Sequence, residues 1–325
     1  MDRNMAGEYI NRINKVTDYI DSNLGREMTL KELSNVAGFS QYHFHRIFAA
    51  MTGETLFSFI TRLRLERAAS QLCALHNAKT ITQIAQDLGF SSSAVFSRAF
   101  KKRFLRSPTQ FRNSNQCQEK SSLGKLLRND GKASPGEGGY TELAPMGNAA
   151  EQHLGEQPGS MKQWRFGMEP IVKIEKLETK RVAYIRYVGP YAGDAQLFEN
   201  LYRRMGAWTG PRGIDMSTSY IMYHDDPGIT DEQKLRLSVC VPIEDDVVVS
   251  GEICEMTMQG GDHAVGTFEL GTDEYGQAWN YMFAKWLPTS GYQPAGAPSF
   301  ERYVGDGSDE GGKMKVDICI PVEVM

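Results

Sequence analysis

The 325-residue chain lacks any apolar run approaching the roughly 18 residues that a membrane-spanning helix needs. Its start, Met1-Asp2-Arg3-Asn4, lacks the apolar core of a secretion signal. A cytoplasmic protein with no membrane partner is therefore expected. Cysteine is sparse. Cys73, Cys117, Cys240, Cys254 and Cys319 make an odd count without a C-x-x-C pair, which argues against a disulfide framework and against a structural zinc site. No Ser-His-Asp set, H-E-x-x-H motif or phosphate-binding loop supports a catalytic reading. The expectation is a non-enzyme with no catalytic residue, metal or cofactor.

What is present divides the chain. Residues 1–112 carry 16 Lys and Arg against 9 Asp and Glu, whereas residues 113–325 carry 20 against 31. Only the first segment suits a phosphate backbone, although a positive balance alone also fits a solvated surface. Between the two, residues 113–161 are rich in Gly, Ser, Asn, Gln and Glu, as in Ser134-Pro135-Gly136-Glu137-Gly138-Gly139, and read as a flexible linker. Upstream the pattern is helical: Ile10, Ile13, Val16, Ile20 and Leu24 recur at helical spacing, with Gly25 placed as a left-handed helix end. Downstream, short apolar runs alternate with turn signals.

Each half contains an internal repeat. Thr29-Leu30-Lys31-Glu32-Leu33 and Gly38-Phe39-Ser40 return 51 residues later as Thr80-Ile81-Thr82-Gln83-Ile84 and Gly89-Phe90-Ser91. Val239-Cys240-Val241-Pro242-Ile243-Glu244 returns 79 residues on as Ile318-Cys319-Ile320-Pro321-Val322-Glu323. The fold class is accordingly multi-domain. An all-α tandem helix-turn-helix domain over 8–112 is joined through the linker to an α+β domain over 168–325, built from duplicated strand-helix-strand-strand units.

The first repeat carries the reading chemistry. Thr29 with Glu32, and Thr80 with Gln83, fit capping boxes that start helices. Each helix runs about two turns to Gly38 or Gly89, whose lack of a Cβ allows a tight turn, and a second helix then begins at a serine. That is helix-turn-helix geometry. In the second helix of unit one, Phe44, Ile47 and Phe48 face inward and leave Gln41, Tyr42, His45 and Arg46 to read base edges. In unit two, Phe96, Ala99 and Phe100 face inward and leave Ser93, Ala94, Ser97 and Arg98. Arg46 and Arg98 stand out because a guanidinium bonds guanine O6 and N7 together. Lys101, Lys102, Arg103 and Arg112 are placed as phosphate clamps. A single such pattern also occurs in helical bundles that bind no DNA, but two in tandem weigh against that. Leu56, Phe59, Ile60, Leu63, Ala68, Leu72 and Leu75 predict one long helix between the units, holding the readers at a fixed separation near ~34 Å in successive major grooves of double-stranded DNA.

Gly38-Phe39-Ser40, Arg64-Leu65-Glu66-Arg67-Ala68, Gly89-Phe90-Ser91 and the run from Phe100-Lys101-Lys102-Arg103-Phe104 to Ser107-Pro108-Thr109-Gln110-Phe111-Arg112 resemble the AraC/XylS family over about residues 8–112. The resemblance implies a bipartite DNA-binding domain acting on promoters, commonly as a transcription activator that contacts RNA polymerase. Leu105 departs from the pattern, standing where that family usually has glycine.

In the acidic half, strands are expected at Val182–Val188, Ser219–His224, Leu235–Ile243, Ala264–Leu270, Ser299–Val304 and Lys315–Val322, with helices at Asp194–Trp208 and Tyr275–Trp286. Two such units about a pseudo-twofold would enclose a cleft. Among many aromatics, Tyr187, Trp208, Tyr223, Phe268, Trp286 and Tyr303 are taken as candidate ligand contacts. Aligning Ser219-Tyr220-Ile221-Met222-Tyr223 with Ser299-Phe300-Glu301-Arg302-Tyr303 puts Glu301 where the first copy has Ile221, on the strand face of Tyr303. A carboxylate ringed by aromatics suits a cationic or amphipathic aromatic effector. Otherwise Glu301 pairs with Arg236 or Lys315 at the sheet surface. Arg181-Val182-Ala183-Tyr184 to Gly189-Pro190-Tyr191, Phe300-Glu301-Arg302-Tyr303 and the strand ends at Pro242 and Pro321 resemble the GyrI-like effector-binding domain. That family implies a cleft binding drug-like small molecules, often with a buried glutamate. Some of its relatives hydrolyse reactive compounds, which leaves a small-molecule hydrolase using Glu301 as the alternative function.

Overall fold

The computed structural model describes residues 2–74, 79–114, 170–272, 274–308 and 313–324. Apart from its first two residues, the linker expected over 113–161 lies outside them, as do Leu75 and Cys117.

Seven helices build the N-terminal half: α1 (Asp2–Ser22), α2 (Leu30–Val36), α3 (Gln41–Thr52), α4 (Leu56–Cys73), α5 (Ile81–Asp87), α6 (Ser93–Phe104) and α7 (Pro108–Asn113). Both capping boxes form, Thr29 with Glu32 and Thr80 with Gln83, so orphan amides at each helix start are satisfied locally. A third, Ser107 with Gln110, starts α7 with Pro108 in its first turn. Gly38 and Gly89 take positive φ, 66° and 70°, at the two turns.

Helix α4 is the spine. Leu56, Phe59 and Leu63 complete the core of unit one with Phe44 and Phe48, while Leu65, Ala68, Ala69 and Leu72 complete that of unit two with Phe96 and Phe100. Apolar residues therefore occupy more than one face of α4 instead of a single stripe. Arg64 locks the two units together: its guanidinium donates to the carbonyls of Leu24 (2.9 Å), Arg26 (2.7 Å) and Gly89 (2.9 Å). Gly25 does not end a helix in left-handed geometry as expected. α1 stops at Ser22, and a Cβ on Gly25 would stand 2.5 Å from the Asp87 carbonyl of unit two. Glycine is required there by close approach.

The C-terminal half comprises β1 (Val172–Leu177), β2 (Lys180–Val188), α8 (Ala195–Thr209), β3 (Thr218–Tyr223), β4 (Arg236–Pro242), β5 (Cys254–Met258), β6 (Gly261–Leu270), α9 (Tyr275–Asn280) with a π-helical turn (Tyr281–Trp286), β7 (Tyr292–Pro294), β8 (Ser299–Ser308) and β9 (Met314–Val324). The strands run in the order β1-β6-β9-β8-β3-β4-β2-β5, all neighbours antiparallel, with β7 on β9. This order is symmetric about the β3–β8 seam, where Ile221 pairs with Glu301, Tyr223 with Ser299 and Ser219 with Tyr303. The duplicated copies thus meet on a pseudo-twofold through the Ile221–Glu301 pair. β1, β5 and β7 were not expected from the repeat; β1 and β5 extend the two ends of the sheet.

The halves pack against each other. From α1, Asn11 donates to the Ile253 carbonyl (2.7 Å), and Asp18 accepts from Tyr184 and Arg186. A Cβ on Gly7 would stand 2.8 Å from the Gly251 carbonyl carbon, so only glycine lets α1 approach this turn.

Leu105, which ends α6, sits at φ 59° with its side chain 85% exposed. A left-handed non-glycine residue costs about 1–2 kcal/mol, of which glycine's larger chain entropy takes back about 0.5–1. Leu105→Gly is expected to stabilise the protein by roughly 0.5–1 kcal/mol, read as a higher urea midpoint; an unchanged or lower midpoint would contradict the strain.

Candidate DNA interface and ligand pocket

In α3, Phe44 and Phe48 are fully buried and Ile47 half-buried, so Gln41, His45 and Arg46 are turned to solvent. The Tyr42 side chain lies outside the described residues. In α6, Phe96 and Phe100 are fully buried, leaving Ala94, Arg98, Lys101 and Lys102 exposed and Ser93 and Ser97 half-buried. Two helices of equal length thus present polar faces from equivalent positions. Of the arginines placed as phosphate clamps, Arg103 is exposed and reaches Glu66 on α4 (3.3 Å), and Arg112 donates to the Lys79 carbonyl (2.8 Å). The Glu66 carboxylate that Arg103 meets is buried, whereas the Lys79 carbonyl is at the surface.

A cavity of about 1230 Å³ opens on the helix-covered side of the seam. Glu301 lies in its wall, 2% exposed. Its Oε1 accepts from Trp279 Nε1 (2.7 Å), and its Oε2 from the hydroxyls of Tyr223 (3.0 Å) and Tyr303 (2.8 Å). Tyr223 and Tyr303 are equivalent positions of the two copies, so the pseudo-twofold delivers both hydroxyls to one oxygen. Glu301 therefore does not pair with Arg236 or Lys315; Arg236 is held by Asp225 instead (2.5 Å). Burial pushes the Glu301 carboxyl above its ordinary value, and the three hydrogen bonds only partly pull it back. Burial, then the Glu301 charge, raises both tyrosines.

Of the aromatics expected at the cavity, Tyr223 and Tyr303 line it and four do not. Trp208 is packed in the core under α8 with Arg212 stacked on its ring at 4.8 Å, and its indole N–H meets no acceptor among the described residues. Phe268 is buried beneath α9, Trp286 packs at the edge of that same core, and Tyr187 bonds the Pro190 carbonyl (3.2 Å). Their places are taken by Trp279, Phe283, Tyr275, Tyr191, Tyr202 and Phe198. Trp279 lies among the many aromatics of this half, but spacing alone does not single it out, because the packing of α9 decides which helical face meets Glu301. Among the described residues no cluster of three or more metal-capable side chains occurs, and no helix is long and apolar enough to cross a membrane.

Residues 171–323 match the model of the GyrI-like small molecule binding domain, and residues 33–114 match a helix-turn-helix domain. A DNA gyrase inhibitor of Edwardsiella piscicida is 30% identical over 155 residues, 46% of this chain and 97% of that protein. The chain belongs to the GyrI-like family. Its N-terminal half is an AraC-type helix-turn-helix domain. There it is 32% identical over 107 residues, 33% of this chain, to the bifunctional transcriptional activator/DNA repair enzyme AdaA of Bacillus subtilis (strain 168), and it spans half of that relative's length. A solved probable AraC family transcriptional regulator from Rhodopseudomonas palustris CGA009 is 28% identical with a TM-score of 0.30, covering 31% of this chain and 94% of its own. An AraC-type DNA-binding domain joined to a GyrI-like small-molecule-binding domain is the arrangement of a ligand-modulated DNA-binding transcription regulator.

The raised Glu301 carboxyl has a signed consequence. Because the folded state holds this proton more tightly than the unfolded chain, stability is fully present below the ordinary carboxyl pKa near 4.5 and falls as pH rises through the raised value, then levels. Thermal unfolding of Glu301→Gln between pH 4.5 and 8 is expected to lack this downward step. Identical profiles for wild type and variant would contradict it.

Proposed function

We propose that this GyrI-like regulator binds promoter DNA through α3 and α6, activates transcription in contact with RNA polymerase, and takes a lipophilic or aromatic cation in the Glu301 cavity. The observation that carries the ligand class is the chemistry around Glu301. A fully desolvated carboxylate whose donors are neutral Trp279, Tyr223 and Tyr303, in a cavity whose wall also carries the rings of Tyr191, Phe198, Tyr202, Tyr275 and Phe283, favours a diffuse cation that stacks on those rings. A hydrolase in which Glu301 activates water is less well supported, since three of the roughly four acceptor positions of the carboxylate are already taken by Trp279, Tyr223 and Tyr303. A thermal-shift titration with tetraphenylphosphonium is expected to raise the melting temperature of wild type and to lose most of that rise in Glu301→Gln.

On the DNA side, Arg46 and Arg98 are the base readers, with Gln41, Tyr42 and His45 adding contacts in unit one. Ser93, Ala94 and Ser97 give unit two smaller side chains, and Lys101 and Lys102 serve its phosphates. Domain limits of 8–112 and 168–325 frame the two activities. In a mobility-shift titration on a specific promoter fragment, Arg46→Ala is expected to weaken binding by about 1–3 kcal/mol and to relax discrimination at one base pair. Lys101→Ala is expected to weaken all sequences alike and to lower the salt slope by about one. Unit one should carry most of the sequence discrimination; equal losses of specificity on alanine replacement in both helices would overturn that.

A further inference from the structure

The cavity is not built by the GyrI-like half alone. Arg67 and Ser70, one turn apart on α4 of the DNA-binding half, stand in its wall although they lie far outside residues 171–323. Arg67 is tied there at both ends of its fork. Nη1 donates to the Gly296 carbonyl (3.1 Å), beside Pro294, Ala297 and Pro298 of the same wall, and Nη2 reaches Asp21 of α1 (3.4 Å). Asp21 in turn meets Arg236 (3.6 Å), and Arg236 holds Asp225 through three hydrogen bonds, from its backbone N–H (2.8 Å), Nε (2.8 Å) and Nη2 (2.5 Å). Asp225 is itself a wall residue of the cavity.

The chain of charges Arg67–Asp21–Arg236–Asp225 therefore leaves the cavity through α4, passes through α1, and returns to the cavity through β4 and the loop before it. A second, smaller cavity of about 100 Å³ lies between the halves and is lined by these same four residues. Arg236 Nη1 is buried beside it and meets no hydrogen-bond partner among the described residues, so the ring is polar but not saturated. On α4, the residue before Arg67 is Glu66, which meets Arg62 (3.0 Å) and Arg103 at the end of reading helix α6 (3.3 Å). What touches Arg67 thus touches the helix that carries both reading units.

We infer that the small-molecule site is composite, with α4 of the DNA-binding half as one wall, so that a ligand in the Glu301 cavity contacts Arg67 and Ser70 directly and binds best when the two halves are docked. The inference rests on the reading of that cavity as the ligand site. Thermodynamic reciprocity then makes any state that moves α4 off the cavity a weaker ligand binder, and makes the ligand resist that movement. No separate signalling element is needed, because the sensor wall and the spacer between the DNA readers are one helix.

The test is calorimetric titration of the full-length protein with tetraphenylphosphonium, comparing wild type with Ser70→Trp, Arg67→Ala and Glu301→Gln. Ser70→Trp places bulk into the cavity from the DNA-binding side, while Arg67→Ala removes bulk and opens the ring, so the pair does not share one folding liability. Ser70→Trp is expected to weaken probe binding at least tenfold while keeping wild-type affinity for a promoter fragment in the absence of probe, and Arg67→Ala, which takes a like charge out of the wall and frees Asp21, is expected to tighten it severalfold. Wild-type probe affinity in both α4 variants, with binding lost in Glu301→Gln, would overturn the composite site and leave the Glu301 reading standing. Altered binding in the α4 variants with none lost in Glu301→Gln would support the composite site and remove Glu301 as the anchor. No binding to wild type would overturn both.

Discussion

Arg186 and Arg236 stand on adjacent strands with side chains 2% and 4% exposed. Neither can keep its charge out of water without a carboxylate partner, and an unpaired buried charge costs about 3–5 kcal/mol. Asp225 serves Arg236 from the β3–β4 loop of the same half, but Asp18, which pairs Arg186, and Asp21, which adds to Arg236, come from α1 of the DNA-binding half. Docking of the two halves is therefore what makes the GyrI-like sheet electrostatically complete on this side. Those carboxylates hold both guanidiniums firmly in the charged form against the pull of burial. Burial, and then the same two cations, push His224 between them well below its ordinary value, so it stays neutral and adds no further charge.

The cavity follows from a second constraint, the duplication. Antiparallel pairing of β3 with β8 places equivalent residues of the two copies across a twofold, and the pair on that axis is Ile221 with Glu301. A symmetric pair of apolar residues there would merely extend the core. With one carboxylate in place of an isoleucine, the two equivalent tyrosines at 223 and 303 converge on a single oxygen. The third donor, Trp279, comes from α9 and has no counterpart imposed by symmetry. One substitution at the axis thus converts a packing seam into a site of one charge.

Helix α4 connects these two features. It is buried on the side of each reading unit, which holds their relative orientation, and the Arg64 clamp on carbonyls from both units leaves little freedom for independent rotation. Its remaining polar side carries Arg62, Glu66 and Arg67. Lys234 and Arg62 share Glu54 (3.1 and 2.7 Å), so even the beginning of α4 is anchored to the C-terminal half.

Much of this was legible in the sequence. Capping boxes, turn glycines, inward phenylalanines and both repeats are local or periodic signals, and they placed each helix of the reading units and six strands of the duplicated unit to within a few residues at most. Glu301 stood out for the same reason: an acid at a position where its repeat partner is apolar is visible without coordinates. Tertiary structure alone decided the rest. Which aromatics line the cavity depended on how α8 and α9 rotate on the sheet, so Trp208 and Phe268 became core while Trp279 came to line the cavity. The partners of Arg103 and Gly25, Glu66 and the Asp87 carbonyl, are distant in the chain. The joining of the halves through Asp18, Asp21, Arg186 and Arg236 left no periodic trace, since a buried ion pair is recognisable only once desolvation and proximity occur together.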